Sequence, residues 1–314
     1  MAVYAVRSRN IALECIWKSH SGSLVLGTFN RVKTAVQLYP MNTPLSQSST
    51  ERWLAVRLSN GLGNRLFQVA AGHKLAEGWK IPYVFAMPYC LPSEHGDYDT
   101  IFKLFPDIPK IWKAEPLLAI DQDKCFEVCP FPNVSPADRV LLRGMWQAAD
   151  YVSDSFTPSW DAVLSADSLL SRWNLSSIEQ REKTAFIHVR LGDYKVLPHH
   201  QVNLLSYYVR SMDKFPSDIR FLVFSDEVDK AKSFPIFNDR CVFVDEPSEL
   251  HTLYLMSQCK AGCITANSTF SWWGAFFGRK ESANYRACMP AQWMVVSREP
   301  TDGIYPSWVN KVPV

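Results

Sequence analysis

The chain is 314 residues long, 47% hydrophobic and 20% charged, which suits one large or two medium globular domains with their own cores. A net charge of +2 without any Lys/Arg block excludes the electrostatic footprint of a nucleic-acid binder. No stretch approaches the roughly 20 apolar residues that cross a bilayer, and the N-terminus shows neither a long apolar core nor a clean cleavage site. The expectation is a soluble, cytoplasmic protein. The eight cysteines (Cys15, Cys90, Cys125, Cys129, Cys241, Cys259, Cys263 and Cys288) form no C-x-x-C pair. Cys125/Cys129 and Cys259/Cys263 lack the histidines that would complete a zinc site, so reduced, structural thiols are expected.

Residues 1–50 mix short apolar and polar pieces and end in the Ser/Thr/Pro-rich run from Met41 to Thr50. That composition reads as a lead-in or linker. From Trp53 the pattern sharpens. Trp53–Leu58 is a strand candidate, Ser59–Asn64 a glycine loop, and Arg65–Glu77 a helix with Phe67, Ala70, Ala71 and Leu75 on one face. A strand at Ile81–Phe85 would close a βαβ unit. The stretch 86–180 is rich in proline and offers only a further apolar piece at Val140–Trp146. Beyond it, strands fit Thr184–Val189, Phe221–Phe224, Cys241–Val244 and Gly262–Ala266. Helices fit Leu204–Lys214, Glu227–Lys232, Glu249–Cys259 and Thr269–Phe277. Strands alternating with helices imply an α/β protein with parallel sheets, whose ligand loops lie at the carboxyl ends of the strands. The expected division is a lead-in at 1–50, one α/β domain at 51–180 and a second at 181–314.

Three loops carry polar chemistry. The first, Asn60-Gly61-Leu62-Gly63-Asn64-Arg65, joins a strand to a helix. Its glycines allow the backbone to approach a ligand, and the helix N-terminus suits an anion, although strand-to-helix turns also contain glycine for purely steric reasons. It lacks both the third glycine of a dinucleotide fingerprint and the Lys-Ser/Thr of a P-loop. The second loop follows Phe186-Ile187-His188-Val189, where an apolar run ends in Arg190, Gly192 and Asp193. A guanidinium at such a strand end suits a phosphate or diphosphate, while Gly192-Asp193 also makes an ordinary turn. His188 should face away from Val189, and a lone strand histidine is more often a core residue than a ligand. The third loop, Asn267-Ser268-Thr269, starts a helix. It suits either capping alone or a diphosphate held by free N–H groups and hydroxyls, with Trp272 and Trp273 packed beneath. Asp226 and Glu227 end another strand, placed either to accept from a ribose or guanine edge or to begin the next helix.

Together these segments resemble the α-1,2-fucosyltransferase family. The resemblance rests on Gly61-Leu62-Gly63-Asn64-Arg65-Leu66-Phe67-Gln68, His188-Val189-Arg190-Leu191-Gly192-Asp193-Tyr194 and Phe224-Ser225-Asp226-Glu227. It continues through Leu255-Met256-Ser257-Gln258-Cys259-Lys260 into Asn267-Ser268-Thr269-Phe270-Ser271-Trp272-Trp273-Gly274. These lie in order from about Trp53 to the last helix, and the last block is the most specific. The resemblance implies two Rossmann-like domains facing a cleft, a GT-B-like fold. It also implies metal-independent transfer of L-fucose from GDP-fucose, with inversion, to the 2-hydroxyl of a galactose-like sugar of a glycan. Arg190 matches the family's diphosphate-gripping arginine, and Leu191 stands where a second arginine is usual. Eukaryotic relatives sit in the Golgi lumen behind an anchor.

On this reading the donor site comprises Asn60, Gly61, Gly63, Asn64, His188, Asp226, Glu227, Asn267, Ser268 and Thr269. Arg190 stabilises the departing diphosphate and Asp193 is the candidate base, though a glycine-turn aspartate serves as readily in a structural role. Glu94, His95, His199 and His200 are loop residues for the acceptor side. Two other readings compete. Asp97-Tyr98-Asp99 and Asp121-Gln122-Asp123 have the D-x-D form of a metal-dependent transferase, and Leu191 with the eleven tryptophans allows a catalytically silent, lectin-like or nucleotide-binding protein.

Overall fold

The computed structural model describes residues 4–6, 14–18, 24–27, 52–91, 98–129, 138–164 and 167–314. It comprises two compact units, Met1–Ser48 and Ser49–Val314. In the first, β1 (Tyr4–Val6), β2 (Glu14–Lys18) and β3 (Leu24–Gly27) pair antiparallel in that order. Strands therefore stand where composition suggested a lead-in. The Ser/Thr/Pro-rich run at 41–50 lies outside the described residues, as do Glu94, His95 and Asp97.

The second unit opens with β4 (Trp53–Val56), α1 (Leu62–Trp79), β5 (Phe85–Ala86), α2 (Asp99–Leu104), β6 (Lys110–Ile111), β7 (Leu118–Asp121) and β8 (Arg139–Arg143). Strands β4-β8-β7 form one parallel sheet and β5-β6 a parallel pair beside it. Leu54 joins the two, donating to the Pro82 carbonyl and accepting from Val84, each at 2.9 Å. Short helices α3 (Asp161–Leu164), α4 (Asp167–Arg172) and α5 (Ile178–Glu182) lead into the second half.

The second half contains β9 (Thr184–Val189), α6 (Leu205–Met212), β10 (Arg220–Ser225), α7 (Val228–Lys232), β11 (Cys241–Val244), α8 (Glu249–Gln258), β12 (Gly262–Ile264), α9 (Thr269–Gly278), β13 (Arg286–Pro290) and β14 (Asn310–Val312). All six strands are parallel, in the order β11-β10-β9-β12-β13-β14. This is the doubly wound dinucleotide-fold order, with its switch point between β9 and β12.

Period-2 alternation explains the two faces of this sheet. Phe186, Leu222 and Phe224 pack into one core with α8, α9 and α1, while Ala185, Ile187, Val189, Phe221 and Val223 pack into another with α6. The first of these cores extends into the β4 half. Phe67 of α1 lies 4.6 Å from the Trp272 ring and 4.9 Å from the Trp273 ring, and both indoles are buried. The architecture is thus the expected one, two parallel α/β layers facing a cleft.

Several element boundaries depart from the sequence reading. Helix α1 starts at Leu62, three residues early, because Asn60 takes a left-handed turn (φ 63°) and extended Gly61 serves as N-cap. Residues 62–64 therefore form helix, not loop. The strand expected at 81–85 shrinks to Phe85–Ala86, since Pro82 brings no N–H to a ladder. Strand β7 carries little signal in the sequence, its four residues alternating only between half-buried and exposed along Leu118–Asp121. Strands β13 and β14 are short and lie in a stretch with no helical pattern to frame them.

Candidate active site

A cleft of about 600 Å³ opens where the carboxyl ends of β9, β10, β11 and β12 face the first turn of α1. Of the twelve residues expected there, Asn60, Gly61, Gly63, Asn64, His188, Arg190, Asp193, Asp226, Asn267, Ser268 and Thr269 line it, and Glu227 does not.

Arg190, one residue past β9, is braced by two carboxylates. Its Nε and Nη2 donate to Asp193 Oδ1 at 3.0 and 2.7 Å, and Nε lies 3.2 Å from Asp226 Oδ2. Guanidinium carries five N–H donors, and among the described residues none engages Nη1, which leaves that edge for a ligand. Asp226 also accepts from the backbone N–H groups of Leu191 (2.9 Å) and Gly192 (3.0 Å). A Cβ on Gly192 would come within 2.6 Å of Asp226 Oδ2, which explains the glycine in this turn.

These contacts revise three expectations. Asp226 does not start the helix, which begins at Val228; its carboxylate ties the β9 loop to β10. Asp193 is engaged by Arg190, which makes it a brace for the guanidinium. Leu191 contributes its N–H to Asp226 while its side chain rests on the core beside β9. Glu227 stands outside the cleft as the N-cap residue of α7, paired with Lys195.

The α9 side shows a similar division of labour. The Asn267 amide donates to the carbonyls of His200 and Trp293, each at 3.0 Å, so it clamps two loops and presents no donor to a ligand. Tyr194 donates to the Asn267 carbonyl (2.9 Å) and stacks on His200 with ring centroids 4.6 Å apart. Sequence reasoning left Tyr194 out; its place directly after Gly192-Asp193 was the available signal. Ser268 caps α9 without a side-chain cap bond, leaving the backbone of the first turn toward the cleft.

Asn64 joins the two halves. Its Oδ1 accepts from Thr269 Oγ1 (2.9 Å) and Gln147 Nε2 (2.8 Å), and Trp273 Nε1 donates to the Gly63 carbonyl (2.9 Å). A Cβ on Gly63 would stand 2.5 Å from Phe270 N and 2.6 Å from Thr269 C. Gly63 is therefore required by the close approach of α1 to α9.

Of the other loop residues, His200 lines the cleft, and burial pushes its imidazole down to about 4. The first D-x-D triplet is partly outside the described residues. In the second, Asp121 pairs with Arg143 at the ends of β7 and β8. The seven cysteines with described side chains are free thiols, several raised by burial.

His188 lies beneath Arg190, buried, its ring 5.9 Å from Phe270, and its Nδ1 has no hydrogen-bond partner among the described residues. Burial first, and the Arg190 charge second, lower its pKa to about 3, so the ring is neutral at pH 7. The sign follows from proton counting. Between the unfolded value of 6.5 and about 3, the unfolded chain holds the extra proton. Stability is complete above that window and lost as pH falls through it. By pH 4 this one group costs about 3 kcal/mol. Denaturant unfolding at pH 7 and pH 4 should show that loss, and His188→Gln should flatten it; an unchanged slope in the variant would refute the assignment.

Comparison with known proteins gives the family of the chain. The model of glycosyl transferase family 11 matches residues 123–304. An alpha-1,2-colitosyltransferase of Escherichia coli is 26% identical over 78% of this chain and 99% of its own length. The O-antigen biosynthesis glycosyltransferase WbnK of Escherichia coli is 31% identical over 42% of this chain and 45% of its own. Among solved structures, the fucosyltransferase NodZ from Bradyrhizobium aligns with a TM-score of 0.46 at 13% identity, covering 71% of this chain and 92% of that one. Among the described residues, no helix is long and apolar enough to cross a membrane. The family match covers more than half the chain and takes in the Arg190 turn, the β10 end and the start of α9, and on it the chain belongs to glycosyl transferase family 11.

Proposed function

We propose that this protein transfers L-fucose from GDP-fucose, with inversion, to the 2-hydroxyl of a galactose-like sugar of a glycan, without a metal ion. The observation that carries the reading is the Nη1 edge of Arg190, held by Asp193 and Asp226 at the switch point opposite the first turn of α9. An anion of the size of a diphosphate meets there a fixed guanidinium and the positive end of a ten-residue helix. Negative charge building on the departing nucleotide is met by these preorganised donors, the role a divalent ion takes in other transferases. Residues 181–314 would hold the donor and 51–180 the acceptor. Asp193 acts through Arg190 as a positioning residue. The name of the colitosyl relative supports the α-1,2 linkage and leaves a second donor sugar to compare.

The test is incubation with GDP-fucose and a panel of galactose-terminated glycans, with and without excess EDTA, and linkage assignment by NMR. The reading predicts α-1,2-linked product at equal rates in both conditions. Loss of activity in EDTA would overturn the metal-free mechanism, and GDP binding without transfer to any glycan would favour the silent alternative.

A further inference from the structure

The geometry points to Glu246 as the residue that selects guanine over other bases. This rests on the proposed GDP-linked donor. Asp226, the carboxylate that the strand pattern offered for a guanine edge, is consumed by Leu191, Gly192 and Arg190. The cleft continues past it to the end of β11, two strands from β9, about 10 Å away at the usual strand spacing. Phe224, Val244 and Pro247 line it there, apolar groups suited to the faces of a planar ring, and Glu246 belongs to the same lining.

Glu246 is built as a fixed acceptor. Its side chain is only 9% exposed. Oε1 lies 3.2 Å from His251 Nδ1 and accepts from the Ser248 N–H at 3.2 Å. The Glu246 carbonyl accepts from Thr252 Oγ1 at 3.3 Å. Oε2 has no partner among the described residues. A nearly buried carboxylate in the cleft lining, pinned through one oxygen with the other unengaged among the described residues, calls for paired N–H donors from a ligand. Guanine presents N1–H and the 2-amino group on one edge. Adenine presents a bare ring nitrogen there and would oppose lone pair to lone pair.

Calorimetric titration of the whole chain with GDP, IDP and ADP tests the assignment. On the wild type, IDP, lacking the 2-amino group, should bind about 10-fold more weakly than GDP, and ADP at least about 100-fold more weakly. Glu246→Gln should weaken GDP by about 10- to 100-fold while changing ADP less than about 3-fold, so that selectivity collapses. A folded Glu246→Gln protein that keeps the GDP-to-ADP ratio, or loses all three nucleotides equally, overturns the assignment. Equal affinity of the wild type for GDP and IDP overturns it without any variant. A wild type that ignores guanine nucleotides and prefers UDP would instead sink the donor reading itself.

Discussion

Arg190→Ala is expected to lower kcat/KM for fucosyl transfer by about 1,000-fold, the scale seen when a transition-state charge loses its preorganised donor. The loss should fall on kcat more than on donor KM, because charge on the leaving diphosphate grows as the sugar bond breaks. Arg190→Lys should recover little. A lysine ammonium cannot bridge Asp193 and Asp226 while also presenting a second edge to the cleft, as the guanidinium does. Both variants should stay folded, since Asp226 keeps its hydrogen bonds from the Leu191 and Gly192 N–H groups and Asp193 retains partial access to water. Steady-state kinetics with thermal melts decide the point: near wild-type turnover in folded Arg190→Ala would remove the diphosphate role.

Gly63→Ala is the second large effect, and it acts on the fold. The added methyl would meet backbone atoms of Thr269 and Phe270 at 2.5–2.6 Å, where no side chain can rotate aside. Helix α1 must then withdraw from α9, straining the Trp273–Gly63 and Asn64–Thr269 hydrogen bonds together. Overpacking of this kind costs about 3 kcal/mol, or roughly 5–10 °C in Tm for a chain of this size. Gly78, in the same helix, has nothing within 4 Å of its would-be Cβ. Gly78→Ala should therefore be neutral or stabilising by about 0.5–1 kcal/mol, as helix propensity alone dictates. A Gly63→Ala protein melting with the wild type would show that the α1–α9 approach does not constrain the fold.

Much of the second half was legible because its inner strands are continuous apolar runs buried on both faces, and the half-exposed edge strand β11 is still a short Val/Phe run. Thr184–Val189 and Cys241–Val244 appear in the structure with the limits the sequence suggests, and the helix at 269 starts at its Asn-Ser-Thr cap. Arg190, at the end of such a strand, was legible for the same reason. What was not legible is the direction in which each polar group is spent. Asn267 and Asp226 have the chemistry of ligand contacts, yet their partners are backbone groups distant in sequence that only the folded chain brings near. Gly63 shows the converse: its constraint comes from residues about two hundred positions away. Glu246 sits in an Asp-Glu-Pro-Ser turn with no motif around it, and its value as an acceptor arises from His251 and the cleft wall.

The central claim is that the β9–α9 end of the cleft receives a nucleoside diphosphate. The most direct measurement is the position of GDP soaked into crystals of the protein. The account predicts the diphosphate within hydrogen-bond distance of Arg190 Nη1 and the first-turn N–H groups of α9, with the base between Phe224 and Pro247. Diphosphate density against the Asn60–Gly61 turn, away from Arg190, would contradict it.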